Sequence, residues 1–589
     1  MIGKSTSGWW SAPPKSSPVP SHWPRLQAFL SWLWGKVRRC PGKRYVVFLL
    51  FMVVLAQFLS RMSGLSGIRS HFLTETPLLL GLYWALNFAL RPARLAPYVA
   101  AFPIVLSYTA YDLFFLAYGD VFRVIDCQNL PELLKVLPPV GKVGLLLAIA
   151  LPVVLVLGFV HYRTYWRVLG TAGLAALLVV TVEFFPGTIL SGLDRAGLDV
   201  ADYSDAQSVN DNGRLTMMLY FEARRRQALA ETAQYLDRGD YPKQIRAAAD
   251  FIRQRGNRRN VHLVVLESFV DPTLFAGVTY SRDPRHPDFA KLVGDGQGFS
   301  VSPVFGGGTA QAEFEVLCGV PALRMLSSIE FDDFTGAAAG CMPGILAQAG
   351  YSTMVSNSFE PDYFNSTKAY TGIGFQNIYF PREYANARPT YFSTGDSPDD
   401  EQYMFDGELF DQNLEFVAKT LREHPDRPIL NYLLGIYGHE PHYIDLHKRP
   451  LVLSMQAAQN DDQLLRAANQ YWYRTQAIAR FVRGLIELDP HCLIVMVSDH
   501  LPPLGEGVKS YQDFRYLDNV EDSTHLNRIL VVENGAVVRH QTIHHYEVPA
   551  LIYDYLTGGE FCTKNDCVQS STAREDRYMA LMAHAVGPH

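Results

Sequence analysis

Several things are scarce in this 589-residue sequence. Positive charge is not in excess: Lys and Arg number 52 against 58 Asp and Glu, for a formal net charge of -6. That balance lacks the basic footprint of a nucleic-acid-binding protein. No short-period internal repeat stands out, which excludes a solenoid. Ionisable residues are few in the apolar runs before about residue 185, which argues against a transporter, since ion and substrate pathways through a membrane are marked by such groups. An early apolar run is also missing. The first one begins behind a Pro/Ser/Trp-rich tail, too late for an ordinary cleaved signal peptide, and is read as a retained anchor.

What is present before residue 185 is membrane-like. Five segments read as spans: Tyr45–Ser60, Phe72–Leu90, Leu95–Tyr118, Val143–Val160 and Tyr165–Val182. Each approaches the ~20 apolar residues that a crossing helix requires. Asp112 sits near one end of the third, and an interfacial position is expected for it. Lys36, Arg38, Arg39, Lys43 and Arg44 crowd the approach to the first span, placing that side in the cytoplasm. Arg91, Arg94, Arg163 and Arg167 fall on the same side if five spans alternate; Arg61 and Arg69 fall on the other and weaken the bias without reversing it. An odd count puts everything after about residue 185 outside. Cys40 is then inside, whereas Cys127, Cys318, Cys341, Cys492, Cys562 and Cys567 are where disulfides persist. "CTKNDC" could close a small loop between Cys562 and Cys567, and Cys492, in "CLIVMV", reads as a buried small hydrophobe.

The organisation expected is a cytoplasmic disordered tail over 1–43, a transmembrane domain over 44–185, a helical linker over 186–256 and an extracytoplasmic catalytic domain over 257–589. The linker, "RLTMMLYFEARRRQALAETAQYLDRG" with "PKQIRAAADFIRQRG", reads as a solvated spacer; contact of Arg224, Arg225 and Arg226 with lipid headgroups is the lesser alternative. After Asn260 the texture changes. "VHLVVLES" has the continuous apolar run of a buried parallel strand. "PGILAQAGYSTMVSNS" reads as helix, glycine cap and strand, "ILNYLLGIYGHEPH" as a strand, and "YRTQAIARFVRGLIELDPHCLIVMVSDH" as a helix and a strand. This alternation predicts an α/β domain with a mostly parallel sheet.

Three of these strands end in groups able to hold a metal: Glu267, then His439, then Asp499 with His500. Open α/β sheets bind ligands beyond the carboxyl ends of their strands. Each residue alone has a bland reading, such as a cap or a surface histidine; together they favour function. Two carboxylates ~4 Å apart repel by ~4 kcal/mol at an effective dielectric near 20. One must then take up a proton unless a cation lies between them. An oxygen-rich set with one imidazole suits manganese or magnesium, with zinc also possible. A second feature is "GGGTAQAEFEVLCGV", in which three glycines lead into Thr309 at a helix start. Glycines permit close backbone approach and a helix N-terminus attracts anions. Thr309 is an N-cap on the bland reading. On the functional one it is the remaining ligand and a cation-stabilised nucleophile, and the glycines make room for a phosphodiester.

"NVHLVVLESF", "GGGTAQAEFEVLCG", "YGHEPHY" and "VMVSDH", in that order behind five spans, resemble the lipoteichoic acid synthase-type phosphoglycerol transferases. These form part of the sulfatase-like branch of the alkaline phosphatase superfamily. The resemblance implies that Glu267, Thr309, Asp499 and His500 bind one divalent metal, manganese first. It implies that Thr309 takes phosphoglycerol from phosphatidylglycerol, with His439 binding the transferred group or moving a proton. It further implies a cell-envelope glycan or a polyglycerolphosphate chain as acceptor, and a catalytic domain that is periplasmic or otherwise extracytoplasmic on the inner membrane. An aromatic-Asn-Arg segment is met by Phe364 and Asn365, but Ser366 stands where the arginine is expected; Lys368, two positions on, could supply the charge. A phosphoethanolamine transferase is the nearest alternative, and a non-catalytic membrane sensor or scaffold the one from another class. A true sulfatase is rejected: its C/S-x-P-x-R pattern is broken in "CMPGI", which lacks the arginine.

Overall fold

The computed structural model describes residues 42–68, 71–137, 139–200, 205–237, 240–395, 403–565, 567 and 570–587. The tail, including Lys36, Arg38, Arg39 and Cys40, and Arg69 lie outside the described residues. The apolar N-terminal runs form helices α1 (Lys43–Ser63), α2 (Phe72–Ala89), α3 (Ala96–Tyr118), α4 (Pro139–Phe159) and α5 (Tyr165–Phe184). Four stretches, Lys43–Ser63, Ala96–Tyr118, Pro139–Phe159 and Tyr162–Phe184, are long and apolar enough to cross a membrane. The α2 run carries Thr74, Glu75 and Thr76 in its first turn and is not among them. It nevertheless packs in the bundle, with Leu79 and Tyr83 buried against Phe48, Met52 and Ala100. Its far end joins the end of α4, where Arg91 N donates to Phe159 O at 2.9 Å and His161 N to Ala89 O at 3.0 Å.

The connector is not a solvated spacer. Helix α6 (Arg214–Asp237) begins inside protein, with Arg214 fully buried. Its guanidinium donates from Nε to Asp112 Oδ2 and from Nη2 to Asp112 Oδ1, both at 2.7 Å. Ser63 Oγ donates to the same carboxylate at 2.6 Å. Asp112, expected at the interface, is thus met by protein rather than by water or headgroups, because a cation 102 positions later in the chain folds back onto it. Glu75 caps the same helix: it accepts from Leu215 N (3.0 Å), Thr216 N (3.1 Å) and the Thr216 hydroxyl (3.0 Å). A carboxylate at a helix N-terminus satisfies donors that have no partner inside the helix and matches the positive end of its dipole. Arg224, Arg225 and Arg226 are engaged with Glu575, Glu222 and Glu183.

Beyond α7 (Tyr241–Arg255) lies a nine-stranded sheet. Its strands are β1 (Val261–Leu266), β2 (Gly298–Val301), β3 (Ser352–Asn357), β4 (Asn377–Tyr379), β5 (Ile429–Gly435), β6 (Leu493–Ser498), β7 (Leu526–Glu533), β8 (Ala536–Val538) and β9 (Ile543–His544). The order is β9-β2-β7-β6-β1-β5-β3-β4, with β8 on β7. Pairings from β6 through β1, β5 and β3 to β4 are parallel; β2, β6 and β8 meet β7 antiparallel. Every residue of β1, β5 and β6 is buried, which is why they read as continuous apolar runs rather than alternating ones. Within β1 the sides still alternate: Val261, Leu263 and Val265 face one core, Val264 and Leu266 the other. The first core receives helix α8 (Thr309–Cys318), all ten residues of which are buried. The second receives α9 (Asp462–Leu488), which Asp461 caps by accepting from Leu464 N at 3.0 Å.

Candidate active site

The register fixes where the chemistry collects. Leu266 pairs with Gly435 on one side and with Ser498 on the other. Glu267 and Asp499 therefore leave adjacent parallel strands at the same level. Asp499 Oδ1 accepts from Ser268 N at 2.7 Å and from His500 N at 2.6 Å. Glu267 Oε1 accepts from Ser268 Oγ at 2.8 Å, and Glu267 Oε2 from the Thr309 hydroxyl at 2.8 Å. The His500 ring lies between the two acids, its Nε2 3.4 Å from Glu267 Oε1 and 3.2 Å from Asp499 Oδ2. Glu267, Thr309, Asp499 and His500 are thus brought together, all buried.

The donor set fits a cation. His500 Nδ1 lies 3.1 Å from the Leu501 carbonyl, an acceptor, so in the neutral ring that nitrogen carries the hydrogen and Nε2 presents a lone pair to the carboxylates. Asp499 Oδ2 is buried with no hydrogen-bond partner among the described residues. Ligand atoms of Glu267, Asp499 and His500 all lie within 4.8 Å of one another. Without a cation the pair shares its burden unequally. Burial, and then the Glu267 charge, push Asp499 well above the carboxylate range. Burial also pushes Glu267 upward, but His500, His439 and the bonds from Thr309 and Ser268 outweigh it and leave Glu267 lowered. Burial lowers His500. A divalent ion lets both acids ionise and occupies the orphaned oxygen.

Thr309 opens α8, preceded by Gly308 at φ 84°. Gly306 has a reason that the sequence did not disclose. A Cβ on Gly306 would lie 2.7 Å from the Ala117 carbonyl, and one on Gly307 would lie 3.4 Å from the Tyr118 ring. The end of α3 thus packs beside Gly306, on one flank of the run that reads in the sequence as clearance for a phosphodiester. On the other flank, His439 follows β5, its Nδ1 2.7 Å from Glu440 O. It is near enough for its charge to act on Glu267 but lies outside the three-residue cation group. A side chain on Gly438 would collide with the Glu267 carbonyl and the Arg474 guanidinium.

Phe364 and Asn365 form a left-handed turn, at φ 46° and 53°. Asn365 Nδ2 is spent on the carbonyls of Phe331 (2.8 Å) and Phe334 (2.9 Å). Ser366 is buried and donates to Tyr363 O at 2.5 Å. Lys368 is exposed. Sequence reasoning missed the aromatic chain that joins this turn to the site: ring centroids run Phe364–Tyr363 (4.4 Å), Tyr363–Phe359 (5.0 Å), Phe359–Tyr403 (5.9 Å) and Tyr403–His439 (4.9 Å). The clustered aromatics of "FEPDYF" were a signal for half of it; Tyr403 gave none. Also missed was the disulfide Cys318–Cys341, which ties the end of α8 to the next helix. Cys562–Cys567 is bonded as well, and Cys492 is buried and free.

A 247-residue stretch is 24% identical to a Rhizobium meliloti (strain 1021) protein named for cyclic beta-1,2-glucan modification; it covers 42% of this chain and 36% of that protein, little more than a third of the relative's length. Among solved structures, the fold is similar to the Streptococcus pyogenes phosphoglycerol transferase GacH in complex with sn-glycerol-1-phosphate. That match has 16% identity and a TM-score of 0.43, over 61% of this chain and 92% of the other. It is also similar to the lipoteichoic acid synthase LtaP from Listeria monocytogenes, with 14% identity and a TM-score of 0.41, over 54% of this chain and 78% of the other. The family model described as Sulfatase matches residues 259–558, from the start of β1 to the segment after β9. Those residues hold Glu267, Thr309, His439, Asp499 and His500, and on that match, which spans half of the sequence, the chain belongs to the sulfatase family.

Proposed function

We propose that this protein is a membrane-bound, metal-dependent phosphoglycerol transferase that moves glycerophosphate from phosphatidylglycerol to an envelope glycan or polyglycerolphosphate acceptor through a phospho-threonine intermediate. One observation carries the reading: the Thr309 hydroxyl, at the start of a buried helix, donates to Glu267 within a cluster of two acids and one imidazole. Cys341, in the stretch nearest to a sulfatase pattern, is buried in a disulfide and unavailable as a nucleophile. Glu267, Asp499, His500 and Thr309 would hold one divalent ion, manganese first, with magnesium or zinc as substitutes. When bound, it supplies charge stabilisation for an oxyanion and for the phosphoryl oxygens. Glu267 Oε2 orients the hydroxyl, and the N-terminus of α8 faces the phosphate. The Thr309 Oγ–P bond forms as the P–O bond to diacylglycerol breaks. The Thr309 proton departs to water, and His439 delivers a proton to the diacylglycerol oxygen. An acceptor hydroxyl then attacks phosphorus, giving its proton back to His439, as the Thr309 Oγ–P bond breaks and Thr309 Oγ regains a proton from water. Phe364 and Asn365 shape the wall beside the headgroup, and Lys368 offers a charge at its rim.

The same reading takes α1 to α5 as five crossings of the inner membrane, with residues 257–589 outside as the catalytic domain, 186–256 as the linker and 1–43 in the cytoplasm. In support, α2 runs from the Glu75 end, shared with α6, to the Ala89 end, shared with α4. Its 18 residues span about 27 Å at 1.5 Å each. The test uses the purified full chain in detergent with phosphatidylglycerol and no acceptor. The expected result is a glycerophosphoryl adduct on the peptide containing Thr309, absent in Thr309→Ala. An ethanolamine-phosphate adduct formed only from phosphatidylethanolamine would transfer the assignment to that donor. No adduct and no turnover with either lipid would leave a non-catalytic membrane protein.

A further inference from the structure

The end of α3 is built into the wall of the site. Gly306 N donates to Leu501 O at 2.9 Å, holding the glycine run beside the strand end that bears Asp499 and His500. Against that run lie the Ala117 carbonyl and the Tyr118 ring. A side chain on Gly507, beyond the same strand end, would strike the Leu116 carbonyl. The next turn of chain is clamped too: Arg324 pairs with Asp120 and Asp126, and Arg123 with Asp205. At Gly306 and Gly507 the apolar helix therefore meets the loops of the site through backbone contacts that leave no room for a side chain.

Tyr118 stands out within this joint. It is half-buried, its ring lies over Gly307, two residues before Thr309, and Glu440 is the acidic group whose charge acts on its phenol. Glu440 adjoins His439. Tyr118 thus packs against the nucleophile loop and stands within electrostatic reach of the histidine loop, as the last residue of a helix apolar enough to cross a membrane. An aromatic ring with a polar tip at that level suits the junction of acyl chains and headgroups. We propose that Tyr118 is a positioning residue, supplied by the membrane helix, that holds the glycerol backbone of a bilayer phospholipid so that its phosphate faces Thr309. This rests on the phosphoglycerol-transfer reading for the reaction, but not for the contact itself.

The experiment uses the full chain in nanodiscs containing phosphatidylglycerol. Tyr118→Ala should raise KM for the bilayer lipid about tenfold, the loss expected when roughly 50 Å² of apolar contact is removed. The kcat, and the rate with water-soluble bis(p-nitrophenyl) phosphate, should stay unchanged, and Tyr118→Phe should recover most of the KM. An equal fall of kcat for both substrates, or no change in either, would overturn the proposal. Independently of turnover, p-benzoylphenylalanine at position 118 should crosslink to nanodisc phospholipid on illumination. Crosslinking without turnover of phosphatidylglycerol by the unmodified chain would sustain the contact and defeat the reaction reading. Turnover without crosslinking, and with an unaltered KM in Tyr118→Ala, would defeat the contact and leave the reaction standing.

Discussion

Two regions of this protein bury carboxylates, and they treat them in opposite ways. At the joint between the apolar helices and α6, Asp112 receives two bonds from Arg214 and one from Ser63, and Glu75 receives the first amides of a helix. Every charge there is answered by the chain. At the ends of β1 and β6, Glu267 and Asp499 face one another and an imidazole lone pair, and Asp499 Oδ2 is orphaned. Burying a charge costs several kcal/mol unless it is paired. A buried acid matched inside the chain is therefore architecture, and one left short of positive charge is a request for something from outside.

The sharpest way to break that distinction is Asp499→Asn. It should abolish stoichiometric binding of a divalent ion, measured by metal analysis after gel filtration, and lower phosphatidylglycerol turnover by about a thousandfold or more. The metal-free protein should melt no lower than the parent, because one of two repelling acids is gone. Full metal occupancy in the variant would make Asp499 an ordinary strand cap. Asp112→Asn should do the reverse. It strips a buried arginine of its partner, at a cost of about 3–5 kcal/mol, so the detergent-purified chain should lose a large part of its thermal midpoint while the folded fraction still binds metal. Pairing Asp112→Leu with Arg214→Met should restore much of that loss. A midpoint that stays put in Asp112→Asn would show that the pair is not structural.

A smaller effect is expected from Glu313, on the inner face of α8, whose carboxylate accepts from Tyr370 and Tyr432 at 2.7 Å each. Burial, partly offset by those bonds, raises it from 4.5 to about 7. Between those values the folded chain keeps a proton that the unfolded chain has shed, so stability falls as pH rises through the window and is flat above it. Glu313→Gln should remove a slope worth on the order of 1–3 kcal/mol. Part of the slope remains from Glu315, raised to about 8 mainly by burial. Thermal midpoints followed across this pH range decide the matter, and an unchanged slope would refute it. Lys368→Ala should matter least. The side chain is exposed, and contacts of that kind contribute about 0.2–1 kcal/mol, so kcat/KM for phosphatidylglycerol should drop at most about fivefold.

What could be read in advance follows from how local each signal was. The parallel strands were visible because β1, β5 and β6 are buried on both faces and their runs are unbroken. The cation cluster was visible because its residues follow those strands directly, and register needs only neighbouring strands to bring them level. The long-range joints were not legible. Arg214 finds Asp112 across 102 positions, and nothing in the linker's helical composition distinguishes a buried arginine from a solvated one. Gly306 looked like space for a ligand, since close approach by α3 and close approach by a phosphodiester leave the same mark on a sequence. Asn365 matched a motif by identity, yet its amide is committed to the 331–334 turn. The Cys318–Cys341 pairing had no local sign at a separation of 23.

The packing of Ala117 and Tyr118 against the glycine run also sets a working height. Thr309 is only three positions from Gly306, so it lies no more than about 10 Å, along even a fully extended chain, from the glycine that touches the helix end. If the proposed function holds and α3 lies in a bilayer, the catalytic domain would have no tether on which to rise or swing, and Thr309 would stay near the plane of lipid phosphates. On that reading an acceptor that grows by repeated addition would have to bring its own terminus down to the membrane each time. Its flexibility and length, rather than any motion of the enzyme, would govern how far the product extends from the surface.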